Sequence, residues 1–259
     1  MQPFERLRSL ARWSADDEGS LLAEAADCLG AFGGDPAGLV VACRRLLAHH
    51  PASGALWWLC ARVLCAPDPS DAAWQAGKLL GDDPTPARLA ALLPFPHDDP
   101  VATLGWPSLI ATALLGRPDL DVVVVRRRTG EDRLAARLRR AEQSIRVVSE
   151  SEATRRGPTH LLVEVGAVGP QQALVPAGTT ELVEGLSGCA TWLVAGVGRV
   201  LPARLFDALV HHVADDEETD LLSLERVERI AGPSGLDAPG GVARRADCPV
   251  APELLRFAD

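Results

Sequence analysis

The chain has 259 residues, of which 47% are apolar and 24% are charged, and its formal net charge is −9. A chain of this size and balance forms one large domain or two small ones around a substantial core. The negative charge argues against a broad nucleic-acid-binding face, and no segment approaches the roughly 20 apolar residues of a membrane span. We therefore expect no nucleic acid and no membrane among its partners.

The cysteine pattern predicts a reducing environment. The six cysteines form no C-x-x-C motif, and four of them fall within apolar helical patterns, where a free thiol packs as a small hydrophobic group. The first residues lack the apolar stretch of a secretory signal peptide. Because disulfide bonds are rare in the cytoplasm, we expect reduced thiols and a cytoplasmic location.

The first third of the chain has only helical periodicity. Two Asp-Pro pairs, at residues 35–36 and 68–69, are typical of an N-cap followed by proline at the first helical position. After the first pair, apolar residues recur at spacings of three and four up to Pro51, which ends that helix. No strand-like alternation interrupts the pattern, so we predict a helical domain over residues 1–95.

After a proline-rich stretch at residues 92–100, the expected linker, short β-branched runs alternate with helical patterns. The predicted strands are residues 121–125, 145–149, 160–168 and 191–197. The predicted helices are residues 108–116, 131–142, 179–188 and 202–213. Such alternation is typical of a parallel sheet covered on both faces. We predict an α/β protein in which an N-terminal helical domain is followed, over residues 96–259, by a Rossmann-like three-layer α/β domain with a mostly parallel sheet. The Gly- and Pro-rich residues 232–252 are expected to form an ordered loop that leads into a short helix.

Ligands of open parallel sheets bind beyond the carboxyl ends of the strands, and an arginine run lies at one such end. Arg126, Arg127 and Arg128 directly follow the run of valines. Guanidinium groups bind phosphate or carboxylate through two parallel hydrogen bonds, so this position suits an anion. The alternative is a solvated charge run that pairs with Glu131 and Asp132.

Two later turns also suit an anion through their backbone N–H groups. Residues 178–180 open a predicted helix, whose N-terminus attracts negative charge; an ordinary threonine cap completed by Glu181 is the alternative. Gly198 and Arg199 leave a predicted strand without the spacing of a dinucleotide fingerprint. An ordinary turn between a strand and a helix is the alternative there.

The remaining polar features have structural explanations. The adjacent pairs at residues 49–50 and 211–212 are histidines near helix ends, and neighbouring side chains on a helix point about 100° apart, so they rarely chelate one ion. The acidic run at residues 215–218 is typical of a solvated loop. We therefore predict no metal site and no cofactor.

Two segments resemble a known family. Residues 160–182 read HLLVEVGAVGPQQALVPAGTTEL and residues 192–202 read WLVAGVGRVLP. Together with the helical first third, they resemble the family of translation initiation factor two-B α/β/δ subunits, which includes methylthioribose-1-phosphate isomerase and ribose-1,5-bisphosphate isomerase. The resemblance covers roughly residues 35–259 and implies the same succession of a helical part and a Rossmann-like part.

The resemblance also implies which reactive residues are replaced. The catalytic aspartate of the isomerases falls on Gly166, the Asn-Lys pair falls on residues 175–176, and residues 101–105 contain no cysteine where the isomerases carry a catalytic one. The Gly-Thr pair and one arginine of the family pattern are retained. Taken together, the residue patterns and the resemblance predict as anion-binding residues Arg128, Gly166, Gly178, Thr179, Thr180, Gly198 and Arg199.

We therefore predict a non-catalytic relative that binds a small phosphorylated ligand, a sugar or a nucleotide, and acts in regulation or through self-association as a homodimer. One alternative is an aldose-phosphate isomerase whose acid and base come from Glu164, Asp207 or Cys189. Another is an interaction module in which tryptophans of the helical part contact a partner. These tryptophans are Trp57, Trp58 and Trp74.

Overall fold

The structure is a computed structural model that describes residues 3–10, 18–93, 100–104, 107–126, 132–141, 143–186, 188–242 and 246–255. Within these residues, only helices precede the first strand. They are α1 (Pro3–Leu10), α2 (Glu18–Gly30), α3 (Pro36–His49), α4 (Gly54–Cys65), α5 (Pro69–Gly81) and α6 (Thr85–Leu92). The helical first part predicted from periodicity is therefore confirmed.

Helix α3 begins where the Asp-Pro pair predicts. The Asp35 carboxylate accepts a hydrogen bond of 2.9 Å from the backbone N–H of Gly38, and Pro36 occupies the first helical position. This carboxylate satisfies one of the N–H groups that a helix N-terminus leaves without an intrahelical partner.

We predict that Asp35→Ala lowers the free energy of unfolding by about 1 kcal/mol, because the alanine side chain accepts no hydrogen bond from the first turn. Asp35→Asn is the matched control, since its amide oxygen caps the helix and should preserve most of the stability. Urea denaturation of the three proteins measures the difference, and equal midpoints for the alanine variant and the wild type would contradict this capping role.

The helical part buries two of the three tryptophans considered as partner contacts. Trp57 is fully buried, and its Nε1 donates to the Pro51 carbonyl over 2.9 Å. Trp58 is also buried, and its Nε1 donates to the carbonyl of Asp247 in the C-terminal segment. Of the three, only Trp74 on α5 faces solvent, with 66% of its surface exposed.

The second part contains two sheets, which confirms the predicted α/β class. Its strands are β1 (Pro100–Leu104), β2 (Asp121–Arg126), β3 (Ile145–Ser149), β4 (His160–Glu164), β5 (Ala167–Val168), β6 (Gln172–Pro176), β7 (Ala190–Val194), β8 (Thr219–Ser223), β9 (Arg229–Gly232) and β10 (Gly235–Asp237). The main sheet has the order β10-β9-β7-β4-β1-β2-β3, and every pair in it is parallel except the β9–β10 hairpin. Strands β5, β6 and β8 form a small antiparallel sheet.

Helices cover both faces of the main sheet. They are α7 (Ser108–Leu115), α8 (Asp132–Arg140), α9 (Glu150–Arg156), α10 (Thr179–Gly185) and α12 (Pro239–Val242), whereas α11 (Ala203–His212) packs against the helical part. Alternate valines of β2 point to opposite faces: Val122 and Val124 join one core with α6, α7 and α8, whereas Val123 and Val125 join another with α9, α10 and α12. This is the three-layer arrangement expected from the sequence.

Helix α6 packs differently from the other helices of the first part. Its Leu89 is buried in the same core as Ile110 of α7 and two valines of β2, Val122 and Val124, whereas α1 to α5 share a separate core with α11. The domain boundary predicted between residues 95 and 96 lies outside the described residues.

The structure corrects two details of the predicted elements. The run at residues 160–168 is two strands, because the backbone of Gly166 turns away from the main sheet to bond Leu174 of β6 and Gly54 of α4. The segment at residues 232–252 holds β10 and α12 rather than only a loop, and a 3₁₀ turn at Pro252–Leu254 follows it. None of the helices within the described ranges is long and apolar enough to cross a membrane.

Candidate functional site

A cleft lies where the strand order of the main sheet reverses. Strand β2 pairs with one side of β1, and β4, which comes later in the chain, pairs with the other side. Open parallel sheets bind ligands at this point, beyond the carboxyl ends of the strands. Leu104 at the end of β1 and Glu164 at the end of β4 both line a cavity of about 420 Å³ there.

The helical part closes the cleft from the opposite side. Residues 49–53, which run from the last residue of α3 to the N-cap of α4, and Glu18, the first residue of α2, line the cleft opposite the strand ends. The charged and titratable lining residues are Glu18, His49, His50, Glu164, Arg199, Asp216 and Glu218. Acidic groups therefore predominate within the described part of the lining.

Arg199 is the buried cation of this cleft, with only 6% of its surface exposed. Gly198 has a φ of +77°, a left-handed conformation that glycine adopts without strain, and this turn carries the chain from β7 to Arg199. The Arg199 carbonyl accepts a 2.7 Å hydrogen bond from Val168 N–H. The backbone of Arg199 is thereby fixed against the small sheet.

The Arg199 guanidinium is held by three protein groups. Its Nη2 lies 2.7 Å from a Glu18 oxygen and 3.0 Å from a Glu164 oxygen, and its Nη1 donates to the Val165 carbonyl over 2.6 Å. Burial alone would lower the pKa of Arg199, but the charges of Glu18 and Glu164 outweigh it and raise that pKa above its ordinary value. The guanidinium is therefore a permanent charge matched inside the protein.

Glu164 caps a helix as well as pairing with Arg199. One carboxylate oxygen accepts from the backbone N–H groups of Leu109 and Ile110, over 2.8 and 3.3 Å, and the other accepts from the Ser108 hydroxyl over 3.1 Å. These donors form the first turn of α7, whose positive dipole end favours a carboxylate. Glu164 is thus fully engaged by the protein itself.

Glu18 connects the helical part to this network. One of its oxygens accepts a 2.6 Å hydrogen bond from the Ser53 hydroxyl, and the other contacts Arg199. Ser53 is also the N-cap of α4. The Glu18 carboxylate therefore connects α2 and α4 to the turn after β7 that carries Arg199.

Gly166 lies in the cleft with no space for a side chain. A Cβ atom built on it would lie 2.6 Å from the Ala52 carbonyl oxygen and 3.3 Å from Leu174 Cδ2. Its backbone is also engaged on both sides, because its N–H donates to the Leu174 carbonyl over 2.9 Å and its own carbonyl accepts from Gly54 N–H over 3.0 Å. This position serves close backbone packing between the two parts.

The backbone at the start of α10 already donates a hydrogen bond to a carboxylate of the protein itself. Gly178, whose φ is +75°, donates its N–H to the Asp220 side chain on β8, and the buried Thr179 hydroxyl donates to the Pro176 carbonyl. Thr180 is partly exposed in the first turn of α10. The Gly178 N–H and the Thr179 hydroxyl, both predicted to hold a ligand anion, therefore already donate to groups of the protein.

The structure brings together only part of the predicted residue set. Gly166 and Arg199 line the main cleft, whereas Gly198 lines a separate cavity of about 220 Å³ beside β7 and β9. Residues 178–180 line neither cavity. Arg128 lies outside the described residues, so its anion-binding role stays a prediction.

The acid and base groups of the isomerase alternative do not meet at the cleft. Glu164 lines it, but Asp207 is exposed on α11, and Cys189 precedes β7 at the amino ends of the parallel strands. Burial raises the pKa of the Cys189 thiol to about 11. Within the described lining of the cleft there is no cysteine, so no thiol–carboxylate pair lies across it.

We predict that Cys189 is alkylated much more slowly by iodoacetamide at pH 8 than the exposed Cys65, because its reactive thiolate is about a thousandth of the population there. The rate at Cys189 should rise steadily as the pH increases towards 10. Peptide mass spectrometry after timed alkylation measures both sites in one protein. Comparable rates at Cys189 and Cys65 would contradict the buried, protonated thiol.

The described residues hold no group of three or more side chains placed to bind one metal ion. His50 contacts the Leu10 carbonyl through Nε2 over 2.9 Å, and His212 contacts the Ala208 carbonyl within α11. Both side chains thus have structural contacts.

Solved structures with the same architecture identify the fold. The chain superposes on translation initiation factor eIF-2B of Pyrococcus horikoshii with a TM-score of 0.75 at 13% identity, covering 92% of this chain and 97% of that one. The chain has the eIF2B fold. It matches the beta subunit of eIF2B from Chaetomium thermophilum with a TM-score of 0.75 at 14% identity, covering 98% of this chain and 93% of that one. A chain of the tetrameric beta2-delta2 complex of C. thermophilum gives 0.76 at 14% identity, with 94% of each chain covered.

The eIF2B resemblance seen in the sequence is therefore confirmed at the level of the fold. No family model matches the sequence, and no curated protein matches it either. The likeness extends over nearly the whole chain and includes the helical part as well as the Rossmann-like part.

Sequence reasoning missed the two carboxylates that occupy the candidate anion positions. Glu18 is the first residue of α2 and Asp220 lies on β8, which was not predicted. Glu18 lies 181 positions before Arg199 in the chain. In the sequence, Glu18 is the last of three consecutive acidic residues, and the ordinary interpretation of such residues at a helix start is a favourable interaction with the helix dipole.

Proposed function

We propose that this chain is a non-catalytic protein of eIF2B fold that binds a small phosphorylated ligand in the cleft and acts through self-association. Support for the non-catalytic role comes from Gly166, which lies where the resemblance places the catalytic aspartate of the isomerases. Aldose–ketose isomerisation moves protons between neighbouring carbons and oxygens, so it needs groups that exchange protons. A glycine whose backbone is bonded on both sides offers none.

The ligand proposal rests on the shape and position of the cleft. Its volume of about 420 Å³ lies within the range of small-molecule sites. Asp216 and Glu218 are suited to accept hydrogen bonds from sugar hydroxyls. Arg199 and, as a prediction, Arg128 are the cations proposed for the phosphate, since guanidinium groups match phosphate geometry.

Self-association is proposed from the structural neighbours. One of them was solved as a tetramer of two beta and two delta subunits, and its chain superposes on 94% of this one. We extend this behaviour to a homodimer of the present chain. Light scattering at increasing protein concentration tests it, and a mass of one chain throughout would remove this part of the proposal.

The proposed ligand is tested by isothermal titration with a panel of sugar phosphates and nucleotides. His49 is exposed and lines the cleft, and His211 is exposed on α11 away from it, so His49→Ala and His211→Ala form a matched pair. We expect saturable binding by the wild type and at least about threefold weaker binding by His49→Ala, equivalent to one lost hydrogen bond. Absence of binding, or equal effects of the two variants, would contradict a ligand in this cleft.

The isomerase alternative is tested with the same preparations. Methylthioribose 1-phosphate and ribose 1,5-bisphosphate are incubated with high protein concentrations, and products are measured by chromatography. We expect no turnover above the uncatalysed rate, because Glu164 is bound by α7 and Arg199 and the described residues that line the cleft include no thiol. Turnover that disappears with Glu164→Gln would overturn the non-catalytic role.

A further inference from the structure

Arg199 has one carboxylate partner more than its charge requires. A guanidinium carries a single positive charge, yet its Nη2 contacts both Glu18 and Glu164 within 3.0 Å. Asp83 lies near enough to add a further attraction to this arginine. The cluster is therefore net negative although it is largely buried, and an excess charge of this kind is costly unless each group is fully bonded.

The two carboxylate partners differ in how firmly they are held. Glu164 accepts from the Ser108 hydroxyl and from two backbone N–H groups of α7, besides Arg199. Its side chain is 10% exposed, and removing it would leave the start of α7 uncapped. Glu164 is thus a permanent part of the fold.

Glu18 is the more weakly held partner. It has hydrogen bonds only to Ser53 and Arg199 among the described residues, and 23% of its side chain is exposed. It is the first residue of α2 and lines the cleft. Of the two carboxylates on Arg199, Glu18 is therefore the one that an entering anion reaches and can replace.

We propose that Glu18 is an internal competitor: its carboxylate occupies the anion position on Arg199 and Ser53, and an anionic group of a ligand binds there by displacing it. This inference rests on the proposed function of the cleft as a ligand site. The incoming group takes over the Arg199 Nη2 and Ser53 hydroxyl donors that Glu18 now uses. A phosphate or a carboxylate supplies suitable acceptors.

Displacement of Glu18 couples ligand binding to the attachment of the helical part. Glu18 is the first residue of α2, and its contact with Arg199 connects that helix to the turn after β7. A ligand that occupies Arg199 removes this contact and so favours a state in which the first turn of α2 is released. The Glu18 carboxylate therefore lowers the affinity of the site for anions, and its displacement couples ligand binding to the position of α2.

The experiment compares wild type, Glu18→Gln and Glu24→Gln in titrations with ribose 5-phosphate and, separately, with inorganic phosphate. Glu24 also lies on α2 but pairs with Arg6 away from the cleft, so it controls for loss of a charge from this helix. We expect Glu18→Gln to bind ribose 5-phosphate at least about tenfold more tightly than wild type, because a charged competitor worth about one charge-assisted hydrogen bond is removed. Glu24→Gln should bind like wild type.

The outcomes separate this inference from the proposed function. Binding by wild type with no gain in Glu18→Gln overturns the competitor and leaves the ligand site standing. Binding by Glu18→Gln alone supports the competitor and shows that the wild-type site is closed to this anion, whereas binding by none of the proteins overturns both. A gain for ribose 5-phosphate without one for inorganic phosphate indicates that the pentose contributes contacts as well.

A second measurement is independent of affinity. Hydrogen exchange of the second turn of α2, whose N–H groups donate within the helix, should become faster in wild type when ribose 5-phosphate saturates the cleft, and in Glu18→Gln it should be fast with or without the ligand. Slower exchange of this turn in the ligand-bound wild type would overturn the displacement of Glu18. Circular dichroism of each variant verifies that the fold is intact.

Discussion

Replacing Arg199 with methionine is expected to lower the free energy of unfolding by about 3–5 kcal/mol, the range for removing one partner from a buried ion pair. Methionine fills much of the same volume but leaves Glu18 and Glu164 facing each other without a cation. It also leaves the Val165 carbonyl without the 2.6 Å hydrogen bond from Nη1. Urea denaturation at pH 7.5 measures the loss.

The matched control is Arg156→Met, which removes an arginine from a solvent-exposed pair. Arg156 contacts Glu152 over 2.8 Å on α9, and about two-fifths of each side chain is exposed. Exposed pairs of this kind contribute well under about 1 kcal/mol, so this variant should unfold almost like wild type. If both arginine variants lose the same small amount, the Arg199 cluster is not a buried network.

The double variant Arg199→Met/Glu18→Gln separates the cation's own contribution from the repulsion left behind. Neutralising Glu18 removes one of the two charges that face each other after Arg199 is lost. The double variant should therefore be more stable than Arg199→Met alone, which is the non-additivity expected of residues in contact. Additive losses would show that Glu18 and Arg199 act independently.

Elements whose pattern is local were predictable from the sequence. Strands β2 and β3 coincide with their β-branched runs, and α3 starts at its Asp-Pro cap. Strand β1 was missed because its five residues include proline and threonine and lie beside a proline-rich stretch. The small sheet was missed because β6 and β8 pair across more than forty residues, and only tertiary contacts define such strands.

The site was less predictable than the fold. Gly166 was singled out through the family resemblance and Arg199 because it follows a predicted strand, and both lie in the cleft. Their surroundings depend on residues far away in the chain: Ala52 fills the space above Gly166, and Glu18 reaches Arg199 from the start of α2. A motif shows which groups a turn offers, but only the packing of the two parts shows whether those groups are already occupied.

Introducing aspartate at position 166, which restores the residue type that the resemblance places there, is expected to destabilise the protein by at least about 2 kcal/mol and to give no isomerase activity. A Cβ atom would lie 2.6 Å from the Ala52 carbonyl oxygen, a backbone atom that cannot rotate away. Overpacking of this kind costs about 1–3 kcal/mol. The new carboxylate also enters a cleft in which acidic groups already predominate.

Gly166→Ala and Gly34→Ala separate the steric cost from the charge. Gly34 has open space where a Cβ atom would be built, so Gly34→Ala should change stability by no more than about 0.5 kcal/mol. Gly166→Ala should lose most of what Gly166→Asp loses if the contact with Ala52 decides the outcome. A Gly166→Asp protein that is as stable as wild type and turns over methylthioribose 1-phosphate would mean that the cleft still accommodates the isomerase centre. The alternative result is that both Gly166 variants are destabilised while Gly34→Ala is as stable as wild type. It would mean that a close contact between Ala52 and Gly166, which joins the two parts of the chain, occupies the position of the isomerase centre.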